Sequence, residues 1–350
     1  MAVSKRSFGK LKDGREVFIY DIENKNGMKA SVMTYGANLV SLYVPGKKGR
    51  VDDVVLGYDR LWMYTRNDSN FGCTIGPIAG RTAGGKFKVG TKTVKLEIND
   101  MGINNLHTSS ANAFQRRIWE AETGKDSVTF SLFKKHNDLT PGNMTVSVTY
   151  SLTSKNELKI HYHAEPDRDT AINMTNHSYF NLSGQKSMSI MDTKVKIYAD
   201  KVTAVDEKLI PNGNSIAVKG TPLDFTEFKK IGKDIKDKSF EPLASACGYN
   251  HNYELKGYNG KLKKAAEAVD EKSGRRMEVY TDLPGLQFYS GIWIGKNKGK
   301  EGQMNCKSKG FAMETQYFPD ACNQESFIKP VFGPEKPYDT VTVYRFYWDD

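Results

Sequence analysis

Met144–Leu152 reads MTVSVTYSL, and the segment 158–163 that follows reads LKIHYH; both place an apolar side chain at every second position. Such alternation is typical of β-strands with one buried face. Residues 128–132 (VTFSL) alternate in the same way, and residues 341–346 (VTVYRF) form a further candidate strand near the C-terminus. The pattern therefore predicts a protein built of antiparallel strands.

Turn signals separate these segments along the chain. Seven dipeptides have the composition that hairpins prefer: Asp13-Gly14, Asn26-Gly27, Pro45-Gly46, Pro141-Gly142, Asn212-Gly213, Asn259-Gly260 and Ser273-Gly274. Helical periodicity is limited to two modest candidates, residues 226–235 and 261–270. No linker or change of composition marks a boundary. We therefore predict an all-β fold, a large antiparallel β-sandwich with few short helices, as one domain over residues 1–350. A concave sheet face or edge cleft would hold a small polar ligand.

Composition narrows the class of protein. The net charge is +10, but the lysines occur in short groups beside acidic residues or glycine, which favours a solvated surface over a nucleic-acid interface. The N-terminal segment lacks an apolar signal core, and no stretch approaches 18 apolar residues, so we expect a cytoplasmic protein that does not bind membranes. The four cysteines lie far apart, which predicts reduced, mostly buried thiols rather than a zinc site or disulfides.

The six histidines occur in different settings. We interpret His136, His161 and His163 as surface or sheet residues; the HxH pair could bind a metal, but no third ligand is evident nearby. His107 (NNLHT) and His177 (TNHSYFNLSG) lie among polar residues that can fix an imidazole tautomer, so each is either a structural or a functional histidine.

Glu314 follows an apolar run in FAMETQYFPDA, residues 311–321. A carboxylate that ends a buried strand has either a buried partner or a raised pKa, and a raised pKa would make it a usable base near neutral pH. The alternative is an edge glutamate in water.

Collinear segments along nearly the whole chain resemble the aldose 1-epimerase (galactose mutarotase) family. They are MTYGA (33–37), VVLGYD (54–59), NLH (105–107), NHSYFNL (176–182), the segment 205–211, LDFT (223–226), LQFYSG (286–291) and the stretch from ETQ (314–316) to Asn323-Gln324. NHSYFNLSG and ETQYFPDACNQ are the most specific. The resemblance implies a large, twisted β-sandwich with an open cleft.

The resemblance also implies an isomerase that interconverts the anomers of a free hexose such as galactose or glucose, without cofactor or metal. Glu314 matches the family's general base and His177 its general acid. The matching positions that line the sugar site are Arg81, His107, Tyr179, Asn250 and Gln287. The expected partner is a small sugar, and the protein is expected to be a monomer or homodimer.

Three departures from the family pattern predict altered specificity. Where the family commonly has Gly-Arg-x-x-Asn-Arg, this chain has Pro77 and Gly80 and keeps Arg81. Asn250 replaces a usual aspartate, which adds a hydrogen-bond donor. Residues 108–110 (TSS) replace glycines and could narrow the cleft mouth. The alternatives are a hexose-phosphate 1-epimerase, motivated by the positive charge, and a sugar-binding protein without catalysis, motivated by the departures.

Overall fold

The structure is a computed structural model, and it describes residues 2–108, 113–136 and 141–349. Three large antiparallel sheets dominate this part of the chain. In spatial order, the five-stranded sheet comprises Ala2–Lys10, Glu16–Glu23, Lys29–Met33, Asn38–Pro45 and Val51–Asp53. The nine-stranded sheet comprises Glu120–Thr123, Ser127–Lys134, Met144–Leu152, Glu157–Pro166, Tyr338–Trp348, Arg275–Thr281, Lys263–Asp270, Lys194–Ile197 and Lys229–Lys230.

The six-stranded sheet carries the cleft described below. Its strands, in spatial order, are Tyr179–Phe180, Phe311–Gln316, Gly285–Tyr289, Asn250–Leu255, Ala199–Val205 and Pro211–Ala217. Two-stranded ribbons complete the described architecture: Arg81–Thr82 with Asn105–Leu106, Cys73–Ile75 with Thr175–His177, Lys86–Val89 with Lys92–Lys95, Thr170–Ala171 with Val331–Phe332, and Asn297–Lys298 with Met304–Asn305. The predicted all-β fold is confirmed.

The alternating segments are adjacent strands of the nine-stranded sheet, and their apolar faces are buried as predicted. Val148 lies directly opposite Phe130 on one side and Tyr162 on the other, and all three are fully buried. Apolar side chains from all three large sheets form one continuous core. For example, Tyr20 of the five-stranded sheet packs edge-on against Phe130. The assignment of residues 1–350 to one domain stays a prediction.

Both helix candidates are wrong. The described α-helices are two short ones, Leu61–Tyr64 and Glu241–Ser245, beside four 3-10 turns of three residues each. Residues 261–270 instead contain the strand Lys263–Asp270, whose alanines are buried between neighbouring strands, so burial in the sheet outweighs their helix propensity. Residues 226–235 instead contain a short edge strand, Lys229–Lys230, followed by a turn. Lys229 Nζ donates a hydrogen bond to Asp234 Oδ2 at 2.9 Å across this turn.

Five of the seven turn signals join paired antiparallel strands, as predicted. Asn212-Gly213 instead lies within the strand Pro211–Ala217, where Gly213 has a φ of +83° and the pairing with the neighbouring strand is irregular. Asn259-Gly260 connects strands of two different sheets. A glycine with positive φ therefore marks an irregular edge strand as readily as a hairpin.

All four cysteines are free, as expected, but only Cys73 is buried. Cys247 is exposed in the turn after the short helix Glu241–Ser245, and the other two are partly exposed, so the expectation of mostly buried thiols is wrong. Over the described ranges, no helix has the length and apolar character needed to cross a bilayer.

A buried ion pair ties the connection between the strands Gly285–Tyr289 and Phe311–Gln316 to the five-stranded sheet. Lys300 Nζ lies 2.5 Å from Asp53 Oδ2, and both side chains are at most 5% exposed. The ammonium also donates to the Val40 carbonyl, and Asp53 Oδ1 accepts from the backbone N–H groups of Leu42 and Val55. Removing one partner would leave an uncompensated buried charge.

We therefore predict that Asp53→Ala lowers the free energy of unfolding by about 3–5 kcal/mol, measured by urea denaturation. Asp13→Ala is the matched control, because it breaks the exposed Asp13–Arg15 pair and should lower the free energy of unfolding far less. Equal losses in the two variants would show that the buried pair does not stabilise this junction.

Candidate active site

The seven residues singled out from the sequence line one cleft of about 690 Å³ over the six-stranded sheet. They are Arg81, His107, His177, Tyr179, Asn250, Gln287 and Glu314. Strand register brings part of the set together, because Gln287 lies directly opposite Glu314, and Asn250 is on the next strand. Their individual roles stay predictions.

Glu314 and His177 form the centre of the cleft. Glu314 lies in the strand Phe311–Gln316, which is buried throughout. His177 ends the strand Thr175–His177, which pairs with Cys73–Ile75. The His177 Nε2 atom is 3.6 Å from Glu314 Oε1, and the two side chains are 7% and 3% exposed. An imidazole and a carboxyl group therefore meet with little access to bulk water.

Burial moves the two pKa values in opposite directions. Desolvation raises the pKa of Glu314 to about 8, although the Arg81 cation opposes this shift. Desolvation also lowers the pKa of His177 to about 4. Between these values the two groups together hold one proton, which lies on Glu314 when the cleft is empty. Because neighbouring groups titrate as a unit, the pair must be treated together. One member can donate a proton while the other, in contact with it, accepts one.

His107 is held as a neutral hydrogen-bond donor. Its backbone has a φ of +57°, and its N–H donates to the Gly80 carbonyl. The Gly80 N–H donates in turn to His107 Nδ1 at 3.2 Å, so the ring proton lies on Nε2. Burial, followed by the nearby His177 and Arg81, lowers its pKa well below the usual value. The Nε2–H group is thus available to an oxygen in the cleft.

His107, His177 and Glu314 each offer one ligand atom, and these atoms lie within 4.8 Å of one another. The spacing could hold a metal ion, but the hydrogen bond from Gly80 opposes it. A metal at His107 Nε2 would require the ring proton on Nδ1, where it would face the Gly80 N–H. The donor set therefore fits substrate hydrogen bonding better than metal binding.

Arg81 is fixed by an ion pair within the cleft wall. Its Nε atom lies 2.9 Å from Asp100 Oδ2, and both side chains are about nine-tenths buried. The strand Arg81–Thr82 pairs with Asn105–Leu106, and this pairing places His107 beside Gly80 and Arg81. One guanidinium edge is neutralised by Asp100, while the cation still acts on Glu314.

The remaining predicted residues, Tyr179, Asn250 and Gln287, also line the cleft. The Tyr179 ring lies 4.9 Å from that of His177 at 36° and covers it. Gln287 Nε2 donates to Asn250 Oδ1 at 2.7 Å, so the Asn250 carbonyl accepts a bond that an aspartate would also accept. The Asn250 amide adds N–H donors that an aspartate lacks. Of the segment 108–110, Ser109 and Ser110 lie outside the described residues.

The other histidines lie elsewhere. His136 is exposed, and His161 and His163 lie on a sheet surface, as predicted. The sequence did not reveal Asp339, which bonds both rings of the HxH pair from a neighbouring strand. His251 is buried, and its two ring nitrogens bond backbone groups, which makes it structural.

Sequence reasoning missed several residues that line the cleft or support it: Asn252, Gln316, Tyr289, Trp62, Trp293 and Asp100. A signal for two of them was present. Asn252 and Gln316 lie two positions after Asn250 and Glu314, so strand alternation puts each on the same face as its predecessor. Asp100 had no local signal, because its partner Arg81 is distant in sequence.

Comparisons with known proteins agree with this geometry. The sequence profile of the family "Aldose 1-epimerase" matches residues 19–345. Human galactose mutarotase is 37% identical over 99% of this chain and 98% of its own length. Aldose 1-epimerase of Escherichia coli K12 is 31% identical over 95% and 96% of the two chains. A solved aldose epimerase homologue from C. elegans superposes with a TM-score of 0.85, at 27% identity, over 94% and 98% of the two chains.

We predict that the Glu314 carboxyl group remains protonated at pH 7 and titrates near pH 8. Infrared difference spectroscopy should show its carbonyl stretch in the wild type and not in Glu314→Gln. Arg81→Met should move the midpoint upward, because the arginine cation stabilises the charged carboxylate. Arg66→Met, which removes another cleft arginine, is the control. A Glu314 midpoint near pH 4.5 would contradict the proposed desolvation.

Proposed function

Because the chain belongs to the aldose 1-epimerase family, we propose that it interconverts the α and β anomers of a free hexose such as galactose or glucose by acid–base ring opening and reclosure. The observation that carries the proposal is the contact between His177 Nε2 and Glu314 Oε1 at 3.6 Å. The two oxygens of a cyclic hemiacetal share one carbon, so groups at this separation can reach both oxygens at once.

Ring opening requires one proton to leave the anomeric hydroxyl while another reaches the ring oxygen. Glu314 as carboxylate takes the hydroxyl proton, and His177 as imidazolium gives a proton to the ring oxygen as the C1–O5 bond breaks. This reactive form has the same single proton as the resting pair, with the proton on His177 instead of Glu314. Binding a sugar that places its hydroxyl against Glu314 favours that arrangement. Positioned acid–base groups contribute about 10²–10⁴-fold each.

The open-chain aldehyde then rotates about its C1–C2 bond and closes on the other face. During closure the roles reverse: His177 removes the proton of the C5 hydroxyl, and Glu314 returns a proton to the carbonyl oxygen. The His107 Nε2–H and the Arg81 guanidinium line the same cleft and stabilise partial negative charge on the oxygens as the protons move. The cycle returns the protonated pair to its starting state.

A free sugar suits the cleft better than a sugar phosphate. The phosphate alternative predicts a second cationic cluster beside Arg81, but Arg81 is already paired with Asp100, and the other described cations that line the cleft, Arg66 and Lys298, are exposed. The non-catalytic alternative predicts loss of a proton-transfer group, whereas both are retained. Polarimetry on free galactose and glucose and on their 6-phosphates tests this choice. A cytoplasmic location and a monomeric or homodimeric state stay predictions.

We predict that Glu314→Gln and His177→Ala each lower kcat at least about a hundredfold, because each removes one proton-transfer group. Polarimetry of freshly dissolved α-D-galactose measures the rate, corrected for spontaneous mutarotation. His161→Ala truncates a surface histidine of the nine-stranded sheet that does not line the cleft. It is the matched control and should keep the wild-type rate. If either active-site variant turned over at the control rate, its assigned role would be wrong.

We also predict a bell-shaped dependence of kcat/KM on pH. Activity should fall above about pH 8, where the pair loses its only proton, and below about pH 4, where the pair gains a second one. The outer wings are measured with short assays to limit acid denaturation. A profile that stays flat between pH 6 and pH 10 would contradict the shared proton.

A further inference from the structure

Four amide side chains lie together on the cleft floor beside Glu314. They are Asn250, Asn252, Gln287 and Gln316. Asn252 lies directly opposite Gln287, which lies opposite Glu314, so these three form a row across adjacent strands. Gln316 lies two residues beyond Glu314 on the same strand. We call these four residues the amide cluster.

The internal hydrogen bonds of the amide cluster leave several groups without partners. Gln287 donates to Asn250, and Asn252 Nδ2 donates to Thr203 Oγ1 at 2.8 Å. Asn252 Oδ1, Gln287 Oε1 and Gln316 Nε2 are buried and have no hydrogen-bond partner among the described residues. Buried polar atoms in folded proteins are nearly always hydrogen-bonded. The presence of three such unbonded atoms in one cleft therefore indicates that the cleft binds a polar ligand.

Gly285 contributes to this arrangement. It lies opposite Gln316, and a Cβ atom there would be 2.6 Å from Asn252 Oδ1 and 3.1 Å from the Gln316 carbonyl oxygen. The missing side chain lets the Asn252 amide lie low on the cleft floor, next to Gln316. The two residues are 4% and 1% exposed and line the cleft from adjacent positions.

We propose that Asn252 and Gln316, together with Gln287, form a hydroxyl-binding subsite for the sugar edge remote from the ring oxygen, at C2, C3 and C4. This inference rests on the proposed function, in which His177 faces the ring oxygen and Glu314 the anomeric hydroxyl. Gln287 and Asn252 lie on the side of Glu314 away from the strand Tyr179–Phe180, which directly follows His177. Neighbouring strands are ~4.8 Å apart and alternate residues ~6.8 Å apart, which matches the width of a pyranose.

These three unbonded atoms, two acceptors and one donor, are suited to binding a hydroxyl group. A sugar hydroxyl both donates and accepts, so one hydroxyl can donate to Asn252 Oδ1 and accept from Gln316 Nε2. The amide cluster contains no ionisable group, so this recognition is independent of pH. Asn252 and Gln316 are thus substrate-binding residues that determine which aldose is held, separately from proton transfer.

Calorimetric titration with galactose and its 2-deoxy, 3-deoxy and 4-deoxy analogues tests the proposal. In the wild type, removing the recognised hydroxyl should weaken binding about five- to tenfold, the value of one hydrogen bond. Asn252→Ala and Gln316→Ala should weaken galactose binding by a similar factor and bind the matching deoxy sugar about as well as galactose. The penalty for that deoxy sugar therefore disappears in the variants.

Gln185→Ala is the matched control, since Gln185 is a buried amide that does not line the cleft and whose Oε1 has no partner within the described part of the chain. It should keep the wild-type deoxy penalty. If Asn252→Ala and Gln316→Ala also kept the wild-type penalty for all three analogues, the subsite would be overturned. Mutarotation is measured separately: a wild type that binds sugars without interconverting their anomers overturns the proposed function, while the calorimetric comparison still decides the subsite.

Discussion

The contact between His177 and Glu314 in a nearly dry cleft is the interaction on which the rest of the site depends. In water a glutamate carboxyl group has a lower pKa than a histidine imidazole, so the carboxyl group is the stronger acid. Desolvation penalises each charged form, so the pKa of Glu314 rises to about 8 and that of His177 falls to about 4. This inversion leaves one mobile proton between two groups 3.6 Å apart. A proton that can occupy either group is what a reaction needs when it removes and returns protons at two oxygens of one carbon.

The sheet architecture makes this contact possible. Glu314 lies in an inner strand of the six-stranded sheet, where neighbouring strands exclude water from the carboxyl group. His177 comes from a separate ribbon, and the His107 loop is tied to Gly80 by its backbone and ring. Arg81 limits the rise in the Glu314 pKa, while Asp100 holds the guanidinium in place. Arg81 therefore keeps a defined electrostatic role, although Pro77 and Gly80 in the same segment replace residues that are common in the family.

The sequence predicted much of this, for identifiable physical reasons. Alternation over residues 128–132, 144–152 and 158–163 predicted three strands of the nine-stranded sheet, because each has one buried and one partly exposed face. The family resemblance predicted the seven cleft residues, which the strands assemble from distant parts of the chain. Local patterns failed where tertiary contacts decide the structure. The alanine-rich segment 261–270 forms a strand because its neighbours bury it, and the role of Asp100 depends on a partner 19 residues away. Asn252 and Gln316 were accessible to the alternation rule, and Gln316 lies within the ETQ motif, but the resemblance assigned roles only to their neighbours Asn250 and Glu314.

The most direct test of the central claim is a crystal structure of Glu314→Gln with galactose bound. We predict that the anomeric hydroxyl lies within hydrogen-bond distance of residue 314 and that the ring oxygen lies within hydrogen-bond distance of His177 Nε2. A sugar bound with its anomeric carbon at the cleft mouth, or with its ring oxygen away from His177, would contradict the account of a shared proton.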